Sequence, residues 1–233
     1  MIKIRKSSDR GHHKEDWLSS FHTFSFHTYY DPAHMGFRDL RVINEDRVAG
    51  GRGFGMHPHE EMEIISFVLM GELQHRDNLG NTDVIRPYEL QRITAGKGMY
   101  HSEVNPLPDD EVHFLQMWIL PDKHGLPPSY EIKKFPDRPY DKLILLASPD
   151  GSENSAQIQQ DVRLYFGLFQ EGHELDFVTD VNRHIWVQVM YGALRSETHG
   201  VTLAEGDGAA ISEETALTLR AQEHSEFLVF DLK

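Results

Sequence analysis

The chain is a succession of short apolar runs separated by turn residues, a pattern typical of β-strands. Residues 63–70 are rich in β-branched and large apolar side chains and stop at Gly71. Similar runs at 73–77, 82–85, 90–94 and 111–120 predict a hairpin-rich sheet. No amphipathic helix longer than about three turns is predicted, and short helical pieces are expected at most around residues 14–20 and 212–216. The predicted fold class is all-β.

The second half of the chain repeats the style of the first. Strand-like runs lie at residues 143–147, 162–169, 184–191, 209–211, 216–219 and 227–232. The segment IWVQVMYGAL at 185–194 echoes IISFVLMGEL at 64–73, which predicts two copies of one β-barrel. A proline-rich stretch separates the copies and is the best candidate linker. We therefore predict a first barrel at residues 1–125, a linker at 126–142 and a second barrel at 143–233.

Composition excludes several functional classes. The formal net charge of −14 argues against nucleic-acid binding, which requires a basic surface. The chain has no cysteine, so disulfides, zinc fingers and iron–sulfur clusters are excluded. It also lacks the apolar start of a signal peptide and any apolar stretch of the ~20 residues that cross a membrane. We expect a cytoplasmic protein without membrane contact.

Two clusters with the same spacing carry the candidate chemistry, His57-Pro58-His59 and His101-Ser102-Glu103. Side chains two apart on a β-strand point to the same face, so each cluster can aim two ligand atoms at one point. Three imidazoles and a carboxylate suit a divalent ion such as Fe, Ni, Cu, Mn or Zn. Four protein ligands leave two positions of an octahedral ion open, as chemistry on a bound substrate requires.

Chance is the competing explanation, because 15 of the 233 residues are histidines. One such pair alone would be weak evidence, whereas two in strand contexts favour a metal site. Eleven of the 15 histidines lie within residues 1–124, which places the metal chemistry in the first half. In the second half, His184 and His224 stand alone, so the second barrel is predicted to be metal-free.

The glycine and histidine spacing around these clusters resembles the two cupin motifs, from Gly51 to Gly71 and from Gly98 to Asn105. Further segments make the whole chain similar to the pirin family, in particular to its compact bacterial members. They are Thr23-Phe-Ser-Phe-His27, Tyr30-Asp-Pro32, Gly36-Phe37, Leu40-Arg-Val-Ile-Asn44, His57-Pro-His59, Thr94-Ala-Gly-Lys-Gly98 and His101-Ser-Glu103.

The resemblance implies a bicupin, two tandem jelly-roll-like barrels in which only the first holds a metal. That metal is usually iron; Ni, Cu, Mn, Zn or Co are the alternatives here. By position, the family's ligands fall on His57, His59, His101 and Glu103. The acidic residue of the general cupin motif falls on Glu63, which lies about 13 Å beyond His59 along a regular strand at ~3.3 Å per residue. Glu63 reaches the metal only if the chain turns between them; otherwise it supports the site from outside or lies on the surface.

The resemblance also implies an activity, because some bacterial pirins cleave the flavonol quercetin with O2. We therefore expect a quercetin 2,3-dioxygenase-like oxidoreductase that releases carbon monoxide, with a small aromatic substrate. Glu103 is the expected base as well as a ligand, with Glu63 the alternative base. The competing hypothesis is a regulatory protein that binds transcription factors or metabolic enzymes, with its metal in a structural or sensing role. A monomer is expected, with a protein partner as the alternative.

Overall fold

A computed structural model of the protein describes all residues from Met1 to Lys233 and confirms the all-β class. Apart from two 3-10 turns at Ser7–Asp9 and Ser152–Asn154, every regular element is a strand. In chain order the strands are β1 (Ile2–Arg5), β2 (Gly11–Lys14), β3 (Leu18–His22), β4 (Leu40–Val48), β5 (Gly53–His59), β6 (Glu63–Met70), β7 (Leu73–Asp77), β8 (Thr82–Ile85), β9 (Glu89–Thr94), β10 (Met99–Val104), β11 (Val112–Ile119), β12 (Ser129–Lys134), β13 (Leu143–Ser148), β14 (Ala156–Gln157), β15 (Val162–Phe169), β16 (Glu174–Val178), β17 (His184–Tyr191), β18 (Ala193–Ser196), β19 (Val201–Ala204), β20 (Gly208–Ile211), β21 (Ala216–Ala221) and β22 (Ser225–Leu232).

The two short helical pieces expected from the sequence are absent. Residues 14–20 end β2 and begin β3, where burial alternates from residue to residue as on a half-buried strand. Residues 212–215 form the turn that precedes β21. None of the helical turns is long and apolar enough to cross a membrane.

The chain forms two compact units, which we call the first and second barrels. The first barrel comprises residues 11–136 and 156–160, and the second comprises 1–10, 137–155 and 161–233. These bounds differ from the predicted ones in three places, one of which is residues 156–160, predicted in the second barrel but belonging to the first. The predicted linker contains β12, which pairs with β9 of the first barrel. The N-terminal strand β1 pairs with β20, so it completes the second barrel. The sequence did not predict β12 because prolines lie on both sides of it. Prolines are tolerated there because β12 is at the edge of its sheet.

Within each barrel, a larger sheet is accompanied by a sheet of four strands. The first barrel has the strand orders β12-β9-β6-β11-β4-β3-β2 and β5-β10-β7-β8. The second has β1-β20-β17-β22-β15-β13 in its larger sheet and β16-β21-β18-β19 in its smaller one. Six strands of the larger sheets and all four strands of the smaller sheets correspond in order, with β17 in the place of β6 and β1 in the place of β12. This correspondence confirms the predicted duplication.

The strand β5, which carries the His57 cluster, lies at the edge of its sheet and pairs only with β10. An edge is where Pro58 is tolerated, because proline has no N–H for a second neighbour. A β-bulge interrupts the pairing: His101 lies opposite His57, but Glu103 lies opposite Phe54. Bulges of this kind redirect side chains next to functional sites.

Candidate metal centre

Three of the four ligands predicted from the sequence form one cluster. His57 and His59 of β5 meet His101 of β10, and one nitrogen from each ring lies within 4.8 Å of the other two. The ring centroids are 4.8 Å apart for His57–His59, 4.5 Å for His57–His101 and 4.8 Å for His59–His101. Two edge-paired strands therefore bring the rings together, as the dipeptide spacing predicts.

Hydrogen bonds on the far side of two rings fix which nitrogen faces the cluster. The Nδ1–H of His57 donates to the carbonyl of Gly55 at 2.7 Å. Nε2 of the buried His75 donates to the Asp77 carboxylate at 3.0 Å, so Nδ1 of His75 carries a lone pair. That lone pair faces Nδ1 of His101 at 3.4 Å. The rings of His57 and His101 therefore each carry a proton on Nδ1, and their Nε2 atoms face the cluster. Hydrogen bonds to neighbouring residues commonly orient metal-binding histidines in this way.

The nitrogens that face the cluster are suited to a cation. Nε2 of His59 and Nε2 of His101 are buried and have no hydrogen-bond partner. Burial lowers the pKa of His59 to about 3 and that of His101 to about 4, so both rings are neutral near pH 7. Neutral imidazoles with unused lone pairs aimed at one point fit a divalent transition metal.

Glu103 lines the same cavity but lies outside the group of three histidine nitrogens. Its Oε1 accepts hydrogen bonds from Ser66 at 3.0 Å and Gln91 at 2.7 Å, and its Oε2 accepts one from Gln116 at 2.6 Å. Burial alone would raise the pKa of Glu103, but the neighbouring His101 and the bond from Ser66 outweigh it and hold the pKa below its usual value. Glu103 is therefore a fixed carboxylate anion.

A cavity of about 480 Å³ opens over the cluster. Its size falls within the ~300–1,000 Å³ range of small-molecule sites. Four aromatic residues contribute to its wall, Trp17, Phe26, Phe54 and Trp118. Trp118 meets the ring of His59 edge-on at 4.9 Å and that of Phe26 at 5.3 Å. The segment around Phe26 thus lines the cavity.

Comparison with known proteins places the chain. The sequence matches the family model for Pirin over residues 3–119 and the model for the quercetinase C-terminal cupin domain over residues 145–232. The chain belongs to the pirin family. It is 41% identical over 232 residues to a protein from Escherichia coli K12 named quercetin 2,3-dioxygenase, a match that covers 100% of this pirin and 99% of that protein.

Solved structures agree with this assignment. The bacterial pirin YhhW from Escherichia coli in complex with nickel(II) matches with a TM-score of 0.95 at 40% identity, covering 100% of this pirin and 99% of that chain. A quercetin 2,3-dioxygenase from Acinetobacter baumannii shares the fold, with a TM-score of 0.81 at 19% identity over 99% and 85% of the two chains. The predicted family, the bicupin fold and the enzyme class, quercetin 2,3-dioxygenase-like, are confirmed at the level of the family.

The other carboxylate considered from the sequence lies elsewhere in this pirin. The chain does turn after His59, with Glu61 in the left-handed region at φ 50°. Glu63 is nevertheless absent from the cavity wall; it is fully buried and accepts hydrogen bonds from Thr94 Oγ1 at 3.0 Å and the Gln159 amide at 3.2 Å. Burial raises the pKa of Glu63 to about 7. The surface alternative for Glu63 is therefore wrong.

The sequence missed a row of polar side chains that crosses the larger sheet beneath Glu103. Its members lie directly opposite one another on the adjacent strands β3, β4, β11, β6 and β9. The row consists of His22, Asn44, Gln116, Ser66 and Gln91. All five are buried, and three of them supply the hydrogen bonds to Glu103. Strand register between distant segments creates this row, so no local motif reveals it.

His75 and Asp77 were also missed, although a signal was present. They repeat the dipeptide spacing of the two recognised clusters within the predicted strand at 73–77. In the second barrel, by contrast, Nδ1 of His184 hydrogen-bonds with Ser212 at 2.8 Å. That the second barrel holds no metal stays a prediction.

Proposed function

We propose that this pirin is a metal-dependent dioxygenase that opens the flavonol quercetin with O2 and releases carbon monoxide. The observation that carries the proposal is the convergence of three imidazole lone pairs beneath a cavity with aromatic walls. The name of the Escherichia coli relative supports the substrate class, because that protein matches this chain over its full length.

We infer that the metal is held by His57, His59, His101 and Glu103. The buried, unpartnered Nε2 atoms of His59 and His101 and the ionised state of Glu103 support this ligand set. Iron is the proposed ion. The nickel(II) complex of the related YhhW supports a divalent transition metal but leaves Ni, Cu, Mn, Zn and Co as alternatives. When bound, such an ion supplies Lewis-acid and redox chemistry toward substrate oxygens and O2.

The remaining work falls to the chain itself. The aromatic wall around Trp118 and Phe26 orients a flat, aromatic substrate and excludes water from its rings. The Gly55 carbonyl and His75 hold the imidazoles of His57 and His101 in the tautomer that faces the cavity. For Glu103, a role as base in addition to that of ligand stays a prediction. Its three hydrogen bonds and lowered pKa favour the ligand role.

The deciding experiment compares metal-loaded protein with and without O2, following the long-wavelength absorbance of quercetin and the release of carbon monoxide. We expect absorbance loss only with O2 and only with metal, and one carbon monoxide per flavonol consumed. The matched control is the His57→Ala, His101→Ala double variant, which should be inactive. Full metal loading without oxygen-dependent turnover would contradict the proposal and favour the regulatory alternative.

We also infer a cytoplasmic location, supported by the absence of cysteine, and a monomer.

A further inference from the structure

Asp46 is a buried carboxyl in the cavity wall and is not one of the proposed metal ligands. It lies on β4, two residues after Asn44 and therefore on the same face of the sheet, opposite Ser20 of β3. Only 3% of its surface is exposed. The cavity that it lines also contains His57, His59 and Glu103. Asp46 therefore lines the same cavity as two of the three clustered histidines.

The three carboxyls of the cavity wall differ in what their oxygens contact. Both oxygens of Glu103 are engaged by Ser66, Gln91 and Gln116, as described above. Glu15, in the more exposed part, has one oxygen 2.9 Å from His13 Nε2 and accepts from Trp17 Nε1 at 2.8 Å with the other. In Asp46, by contrast, Oδ1 is buried and has no hydrogen-bond partner. A buried carboxyl oxygen without a partner is costly unless a ligand in the cavity supplies one.

The surroundings of Asp46 adjust its proton affinity. Burial raises the pKa of Asp46 to about 7, the hydrogen bond from Ser20 lowers it in part, and the charges of Glu103 and Glu45 raise it further. A carboxyl with this pKa can both accept and return a proton near neutral pH, which is the condition for effective general-base catalysis. The other ionisable groups of the cavity are His13, Glu15, His22, His27, His57 and His59.

We propose that Asp46 is the catalytic base that takes the proton of the substrate's acidic hydroxyl, an assignment that rests on the proposed function. The O–H bond of the substrate hydroxyl breaks and a new O–H bond forms on Asp46 Oδ1. The electron pair stays on the substrate oxygen, which becomes an anion ready for reaction with O2. No electron is transferred in this step. Glu103 is then left as a ligand alone.

The principal test compares metal-loaded wild-type protein with Asp46→Asn. In the wild type, kcat/KM for quercetin should rise with pH along one limb as Asp46 ionises. Asp46→Asn should keep its metal, lose this limb and lose ~10²–10⁴-fold in kcat, the usual range for removal of a general base. The matched control is Glu111→Gln, an exposed carboxyl that pairs with Arg47; it should retain the wild-type profile. An Asp46→Asn protein with wild-type kcat and limb would overturn the assignment.

A second variant tests the same assignment without touching Asp46. Ser20→Ala removes a hydrogen bond that lowers the pKa of Asp46, so the limb should move to higher pH. A limb that stays in place would count against Asp46, even if Asp46→Asn fails to fold.

Anaerobic titration with quercetin separates the assignment from the proposed function. Bound flavonol should show the absorption of its anion in wild-type protein near pH 8 and that of the neutral form in Asp46→Asn. If wild-type protein ionises bound flavonol yet shows no oxygen-dependent turnover, the proposed function fails while Asp46 keeps its role. If both proteins ionise it equally, the assignment to Asp46 fails and the dioxygenase proposal stands.

Discussion

The two barrels share their strand order but differ in the polarity of the side chains inside them. The echo between residues 64–73 and 185–194, together with the strand pairing, fixes which positions correspond. In the second barrel the counterparts of His57, His101 and Glu103 are Phe177, Leu217 and Leu219. All three belong to one apolar core. Where the first barrel has two ligand histidines and a carboxylate, the second barrel has three apolar side chains.

The polar row shows the same contrast. The counterparts of Asn44, Gln116, Ser66 and Gln91 are Tyr165, Val229, Val187 and Ala209. These four residues lie in or against the apolar core of the second barrel. The fold therefore does not need polar side chains at these positions. In the first barrel, the cost of burying the polar row is offset by the hydrogen bonds that three of its members donate to Glu103. We therefore infer that the row holds Glu103 in place.

The largest effect is expected from removing two ligands together. His57→Ala with His101→Ala should abolish metal binding, because a single imidazole and Glu103 cannot hold the ion against water. Metal per chain by elemental analysis checks this. His184→Ala is the control from the second barrel and should keep wild-type content to within about twofold. Stoichiometric metal in the double variant would disprove the ligand assignment.

Glu103→Ala should weaken metal binding by more than ~100-fold, beyond the ~10–100-fold typical of outer partners, because it removes an anionic ligand. It should also destabilise the barrel by roughly 1–3 kcal/mol for each donor left without an acceptor. Metal titration and denaturant unfolding measure the two effects. Glu103→Gln, which keeps the shape and one acceptor, should lose affinity with a smaller loss of stability. A Glu103→Ala protein that binds metal tightly and still opens flavonols would contradict the ligand role.

Asp77→Asn tests the chain of hydrogen bonds behind His101. The amide can donate to His75, so it no longer enforces the tautomer in which His75 Nδ1 accepts from His101. We expect metal affinity to fall ~10–100-fold, measured by competition with a chelator. Asp83→Asn, on the neighbouring strand β8, is the control. Unchanged affinity in Asp77→Asn would show that the tautomer of His101 is fixed by other means.

These predictions rest on residues that the sequence revealed to different degrees. The period of a strand was sufficient to pair His57 with His59 and His101 with Glu103, because each pair lies within one local segment. The strand register that aligns Ser66, Gln91 and Gln116 beneath Glu103 joins distant segments, and no local pattern encodes it. Nothing in the run Asn44-Glu45-Asp46 distinguishes Asp46 from a solvated carboxyl. Its burial depends on the strands β3 and β11, which lie on either side of β4.

The smallest effect on the metal is expected at Glu63, whose counterpart in the second barrel is His184. The folded pKa of Glu63, about 7, lies above its usual value of 4.5. The stability that its neutral form contributes is therefore full below pH 4.5 and is lost as the pH rises through 7. Glu63→Gln should raise the free energy of unfolding at pH 8 by roughly 3 kcal/mol and leave it unchanged at pH 4. Metal content and activity should stay within about twofold. A large loss of rate with intact metal would make Glu63 the base.

The measurement that tests the account most directly is the position of the metal in a crystal of the iron-loaded protein, by anomalous scattering at the iron edge. The account predicts one peak per chain, in the first barrel, bonded to His57, His59, His101 and Glu103. A peak in the second barrel, or a metal bound without the three histidines, would contradict it.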